Sequence, residues 1–332
     1  MKLLIHKYAL IDLHLHLDGS LSVDSVRKMA ALQGIQISEN DEELREMLQV
    51  SEGCRDLNEY LEKFAFPCSL MQTAEGLAMA VRNLEAELAA QGLLYAEIRF
   101  APQLHTLQGM SQREVVEAAV RGMGKSALCS GLILCCMRGN DNREANLETV
   151  RVAKEFLGKG VVSIDLAGAE ALFPTQDFAD LFALAQELGI PYTIHAGEAD
   201  GPASVYKALE FGAKRIGHGV RSLEDRALVK RLAEEQITLE LCPTSNLNTS
   251  IFESYTAYPL RKLMEAGVKV TINTDNMTVS NTTVAAELQH LTDALALTEE
   301  ELQQLACNAA DASFADEKTK QWMKKEIENR LP

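Results

Sequence analysis

The chain has 332 residues, 47% of them hydrophobic and 24% charged, and its 32 basic against 48 acidic side chains leave a formal net charge of −16. A phosphate backbone or an anionic membrane surface would be repelled by that balance, which excludes nucleic-acid and lipid-surface binding as functions. No apolar run approaches the roughly 18 residues of a membrane span. His6 and Lys7 interrupt any secretory core in the stretch Met1 to Leu10. Seven cysteines without CxxC spacing fit neither a disulfide framework nor a Cys-rich metal site. A cytoplasmic protein with reduced thiols is expected.

The first predicted strand is Ala9 to His16 (ALIDLHLH). His14 and His16 are two apart, so their side chains leave the same face, and if that face is inward both point into one enclosed space where they can share a cation. Asp12 lies on the same alternation and is placed to orient one imidazole. Taken alone, an HxH pair is more often structural than metal-binding.

The next strand end falls at Ala101, 85 residues on. An ordinary barrel of about 250 residues allots roughly 31 to each of eight βα units, so the gap holds an insertion over about 20–75. Within it Leu57, Tyr60, Leu61, Phe64 and Phe66 form an apolar group, which reads either as a lid over a site or as packing of the insertion itself. A helix follows, with Thr73 as N-cap, Leu77, Val81, Leu84 and Leu88 at helical spacing, and Gly92 as its stop.

The remaining strands are Leu94 to Ala101, Gly131 to Met137, Val161 to Ala167, Pro191 to Ala196, Arg215 to Gly219, Ile237 to Pro243 and Val268 to Asp275. Strands alternating with helices at this spacing predict an α/β fold: a single (β/α)8 TIM barrel over residues 1–332 with extra helices inserted after strand 1. The last twenty residues, around Trp322 and Met323, read as a surface helix.

Polar groups recur at the strand ends, where barrel enzymes keep their active sites: His14 and His16, Asp165, His195, His218, Ser245 with Asn246, and Asp275. His195 opens His195-Ala196-Gly197-Glu198, in which Glu198 is placed to move protons without ligating. The pattern is neither HExxH on a helix nor the HxE with PCxxC of cytidine-type deaminases. Asp275 closes the last strand, adjacent in a closed barrel to the first. By itself it reads as a loop carboxylate or a cap, but three imidazoles and one carboxylate together leave a position for water, the open pattern of a catalytic zinc site. Glycines on both sides of His218 permit close approach there.

These segments together resemble the adenosine deaminase family of the amidohydrolase superfamily. The residues concerned are His14-Leu15-His16-Leu17-Asp18-Gly19-Ser20, Asp165-Leu166-Ala167-Gly168, His195 to Glu198, Gly217-His218-Gly219 and Asn273-Thr274-Asp275. The resemblance covers nearly the whole chain. It implies one zinc ion on His14, His16, His195 and Asp275, with Glu198 as proton shuttle and His218 positioning the attacking hydroxide. It further implies Gly168 contacting the purine through its backbone, and Asp18 accepting a hydrogen bond from a ribose hydroxyl. The substrate would be a small purine nucleoside, adenosine or 2′-deoxyadenosine, with inosine and ammonia as products of a salvage reaction. Nothing in the sequence signals an oligomeric state.

Two positions depart from the family pattern. After Asp275 many relatives carry a second Asp near N7 of the purine, where this chain has Asn276; an amide already carries the donors that N7 needs, and a turn asparagine is the alternative reading. Ala169 stands where relatives often have Asp, followed by Glu170. The runner-up function is an adenine or other 6-aminopurine deaminase, although such enzymes typically read HLEG where this chain has Leu17-Asp18-Gly19. A lysine that would bridge two metals is missing from the fourth strand, which favours a mononuclear site. The alternative of a different class is a non-catalytic barrel that binds metal or nucleoside.

Overall fold

The computed structural model describes residues 5–51, 54 and 57–330. Residues 1–4 of the N-terminal stretch, and 52, 53, 55 and 56 of the insertion, lie outside the described residues. Eight strands alternate with helices: β1 Leu10–His16, β2 Leu93–Phe100, β3 Cys129–Met137, β4 Val161–Ala167, β5 Thr193–Ala196, β6 Arg215–His218, β7 Thr238–Leu241 and β8 Lys269–Ile272.

All pairings are parallel, in chain order from β1 to β4 and from β5 to β8. Two seams join these halves. Ile164 bridges Tyr192, and its N–H donates to the Pro191 carbonyl at 3.1 Å. Leu15 bridges Asp275; the His16 N–H donates to the Asp275 carbonyl at 2.7 Å and the Asp275 N–H to the His14 carbonyl at 2.8 Å. The expected (β/α)8 architecture is therefore present, with its helices packed around the strands.

The expected ends of β1 to β7 hold to within two residues. β8 stops earlier, at Ile272, so Asp275 is not a strand residue. The Asn273 side chain explains the break: its Oδ1 accepts the Leu13 N–H at 2.9 Å and its Nδ2 donates to the Leu241 carbonyl at 3.2 Å, replacing ladder bonds with side-chain bonds. Asp275 then takes a left-handed backbone, φ 58°.

Alternation along the strands sends apolar residues such as Leu15, Ile98, Ile164, Ile194, Ile216, Leu239 and Val270 outward into the main hydrophobic core beneath the helices. The opposite faces fill the barrel with charge. Arg99 lies between Asp165 at 2.7 Å and Glu240 at 2.8 Å, and Arg215 between Glu240 at 2.7 Å and Glu97 at 2.6 Å, every one of them buried. Such a network is tolerable in low dielectric only because each charge has a partner.

Thr73 caps the helix Ala74–Ala90 by accepting the Gly76 N–H at 3.1 Å, as its sequence predicts. The insertion comprises helices Val23–Gln33, Asp41–Leu48, Leu57–Leu61 and Ala65–Ser69 with a 3-10 turn at Glu62–Phe64. The C-terminal helix Glu317–Asn329 buries Met323 and Ile327 against the starts of β1 and β2, leaving Trp322 40% exposed. It is a surface helix with one packed face.

Candidate metal centre and active site

The polar residues expected at the strand ends converge. One ligand atom each from His14, His195, His218 and Asp275 lies within 4.8 Å of the others. His16 joins this group through Nε2, 3.4 Å from Asp275 Oδ1 and 3.3 Å from His195 Nε2. Convergence demands space between the rings, and Gly217 supplies it: a Cβ there would stand 3.1 Å from both His14 Cε1 and His195 Cα. His218 itself has φ 59°, so two members of the cluster, His218 and Asp275, hold backbone conformations that L-residues rarely adopt.

His14, His195 and His218 are each met from behind. His14 Nδ1 lies 2.8 Å from Glu240 Oε2, and His195 Nδ1 lies 2.8 Å from Asp165 Oδ2. Glu240 takes the Nδ1–H of His14, which leaves its Nε2 lone pair facing the cluster, while the Asp165 carboxylate stands against Nδ1 of His195. Asn246 fixes His218 in the opposite sense. Tyr258 donates to Asn246 Oδ1 at 2.9 Å, so the Asn246 amide donates to His218 Nδ1 at 3.1 Å and the proton of His218 resides on Nε2. That N–H points toward Glu198 Oε2, 3.6 Å away. Asp275 is held by Ser245, whose hydroxyl donates to Oδ2 at 2.6 Å.

Asp12 does not orient an imidazole as expected. Its carboxylate accepts the backbone N–H of His14 and the hydroxyl of Thr274, tying β1 to the turn that carries Asp275. The carboxylates behind the imidazoles are Asp165 and Glu240, and Glu240 is one that the sequence does not single out. Its signal was an ionisable residue alternating with Leu239 and Leu241 in an otherwise apolar strand. Arg99, which joins Glu240 to Asp165, had the same signal in β2.

Burial sets the electrostatics. It drives the pKa of His16, His195 and His218 below the usual histidine value, so these rings are neutral at pH 7 and keep their lone pairs. For His14 burial and Arg99 act downward, but the neighbouring carboxylates of Asp275 and Glu240 outweigh them. Asp275 is held below the carboxylate range because its histidine neighbours overcome burial. Glu198 goes the other way: burial first, then the charges of Asp275 and Glu170, raise its proton affinity well above that of an ordinary glutamate. Burial also raises Asp18 to about 6.

A cavity of about 240 Å³ opens onto the cluster. His16, His195, His218, Glu198 and Asp275 line its floor, with Asp18, Gly168 and Asn276 at its sides. Leu57, Tyr60, Leu61 and Phe64 from the insertion form a further wall, together with Leu104 and Met137. Phe66 packs instead against the main core. Gly19 is needed for this shape, since a Cβ there would fall 1.8 Å from Asn276 Oδ1. A larger cavity of about 580 Å³ adjoins the first at Leu57 and Glu198.

This geometry has counterparts. The solved structure of an adenine deaminase from Arthrobacter aurescens superposes with a TM-score of 0.87 at 28% identity, covering 97% of this chain and 98% of that one. An N6-methyl-AMP deaminase from Arabidopsis thaliana gives a TM-score of 0.85 at 25% identity, covering 98% and 97%. In sequence, the adenosine deaminase of Haemophilus ducreyi is 48% identical over 341 aligned residues, covering 100% of this chain and 99% of that protein. The family model described as adenosine deaminase matches residues 9–330, so the resemblance carried by the strand-end motifs extends through the entire barrel, and the chain belongs to the adenosine deaminase family.

Proposed function

We propose that this enzyme deaminates adenosine and 2′-deoxyadenosine hydrolytically, giving inosine or deoxyinosine and ammonia, at one zinc ion held by Nε2 of His14, His16 and His195 and by the Asp275 carboxylate. The residues fit such an ion. His14 Nε2 is buried without a hydrogen-bond partner, its Nδ1 is already engaged by Glu240, and imidazole nitrogens and a carboxylate are donors that zinc accepts. When bound, the zinc lowers the pKa of water to about 7 and so supplies a nucleophile at neutral pH.

The observation that carries the reading is Glu198, a buried carboxyl in the same cavity as the histidine cluster, where burial pushes its proton affinity well above that of an ordinary glutamate. Attack at C6 of a purine pushes electrons onto N1, and Glu198 in its acid form delivers the proton there. Its Oε1 is buried with no other bond to break. The Nε2–H of His218 and the Asp275 carboxylate would orient the attacking oxygen. The Gly168 backbone meets the purine edge, the Asn276 amide faces N7, and Asp18 and His16 take the ribose hydroxyls. Leu57, Tyr60, Leu61 and Phe64 act as the lid wall that excludes water.

A nucleoside is favoured over a nucleotide. Among the described residues lining the cavity none is Lys or Arg, and Asp18 lies at its side; a phosphate dianion there would find no basic side chain as counterion. The protein acts in the cytoplasm on a diffusible small molecule.

The test is the ultraviolet change from adenosine to inosine, followed with and without a chelator. Activity should disappear on chelation and return with one equivalent of zinc per chain. Adenine and 5′-AMP should be turned over with a much lower kcat/KM, and preference for either would displace the nucleoside assignment. No turnover of adenosine by zinc-loaded protein would reject the reading altogether.

A further inference from the structure

Glu170, in the loop after β4, enters the chemistry above only through its charge near Glu198. It is 1% exposed, and among the described residues no lysine or arginine pairs with it. Its charge is met by dipoles. Oε1 accepts the Gly197 N–H at 2.7 Å and the Ser204 hydroxyl at 2.5 Å; Oε2 accepts the N–H groups of Glu198, Ala199 and Asp200 at 3.0, 2.8 and 3.0 Å. Four consecutive amides of the loop after β5 therefore point at one carboxylate, and the second of them belongs to Glu198.

The other end of the same segment is gripped with the opposite polarity. Arg138 donates through Nη2 to the His195 carbonyl at 2.6 Å and to Thr175 Oγ1 at 2.9 Å, and Thr175 Oγ1 lies 2.7 Å from Ser204 Oγ. One carbonyl and four amides of residues 195–200 are thus fixed by two buried side chains. Packing alone would not require an ion here, since burying a carboxylate is costly and a neutral side chain could staple a loop. An ion is justified where a backbone must be held to a fraction of an ångström, as a proton donor aimed at one ring nitrogen must be.

We propose that Glu170 is a positioning residue for proton transfer: its carboxylate sets the backbone of residues 197–200 so that the Glu198 carboxyl meets the reacting ring of the substrate. The inference rests on the role given to Glu198 above. His195 keeps Asp165 and Arg138 as its own supports, so loss of Glu170 should affect Glu198 more than the metal.

The test compares Glu170→Gln and Glu170→Ala with Glu198→Gln in zinc-loaded enzyme. Gln can still accept from the three amides at Oε2 and donate to Ser204, leaving only the Gly197 N–H opposed, so it should act as a partial rescue. General-acid contributions of roughly 100- to 10,000-fold lead us to expect kcat to fall about tenfold in Glu170→Gln and about a hundredfold in Glu170→Ala. KM, the zinc content and the stoichiometry of inosine binding should stay within about twofold of wild type. If kcat falls only in proportion to zinc content or inosine-binding sites, Glu170 is a structural staple and the inference is wrong; unchanged kcat in both variants overturns it equally. If Glu170→Ala does not fold, Glu170→Gln decides alone. Full activity of Glu198→Gln would instead remove Glu198 from the reaction, a failure distinct from active Glu170 variants beside an inactive Glu198→Gln.

Discussion

Replacing Glu240 by Gln tests whether the charged interior of the barrel serves the metal centre. The carboxylate has four donors: His14 Nδ1 and Arg99 Nη2, both 2.8 Å from Oε2, and Thr193 Oγ1 and Arg215 Nε, both 2.7 Å from Oε1. Gln keeps the shape but turns one of those acceptors into an NH2 group, and both orientations are unfavourable. With the NH2 toward His14, the ring must accept at Nδ1 and carry its proton on Nε2, where the zinc lone pair should be. With the NH2 toward Arg215, two donors face each other in low dielectric, and His14 keeps only a neutral acceptor. Arg99 retains Asp165 and Arg215 retains Glu97, so the fold should survive at a cost of about 3–5 kcal/mol, as for other broken buried pairs. Removing the outer partner of a metal histidine typically weakens binding by about 10- to 100-fold, or about 1.4–2.8 kcal/mol.

Two measurements keep these effects apart: urea unfolding of the metal-free protein gives the first, and zinc affinity by chelator competition gives the second. A loss of stability with unchanged zinc affinity would show that Glu240 only balances the arginines. Unchanged values in both would refute the assigned network.

Glu287, buried and pushed up to about 7 chiefly by burial, binds a proton in the folded state that it releases when unfolded near its ordinary 4.5. Its folded pKa is raised, so stability is greatest below about pH 4.5 and falls as pH rises to about 7, by about 3 kcal/mol from this group. Glu287→Gln can keep its bonds to Thr244 and Thr282, and unfolding curves between pH 5 and 8 should be flatter by that amount; an unaltered pH dependence would contradict the assignment. Asp18, at about 6, accepts from ribose more strongly when ionised, so KM for adenosine should rise as pH falls through about 6, and Asp18→Asn should abolish that limb. Gly19→Ala forces Asn276 out of its position; a roughly tenfold higher KM with normal zinc content is expected, and an unchanged KM would argue against Asn276 as a purine contact.

The parts of the site that sequence reveals are those built locally. A two-residue spacing puts His14 and His16 on one strand face, and a strand-to-loop transition puts Glu198 three residues past His195; both follow from chain geometry alone. Even Asp275 was placed beside β1, although it sits on a left-handed turn beyond β8, because barrel closure brings the last strand to the first. The illegible parts depend on pairings across the barrel. Glu240 is 226 residues from His14 and 141 from Arg99, and a glutamate between leucines says only that one strand face is polar. Glu170 shows the same boundary from the loop side. Its neighbours in sequence offer nothing to bind, and only folding carries four amides of another loop onto it. Long-range partners are therefore where an ionisable residue inside an apolar strand, or beside a motif, should be treated as an unassigned support for a catalytic group. Glu240 and Glu170 both hold a reactive residue from outside, one through an imidazole proton and the other through backbone amides, and neither needs to touch the purine to affect its turnover.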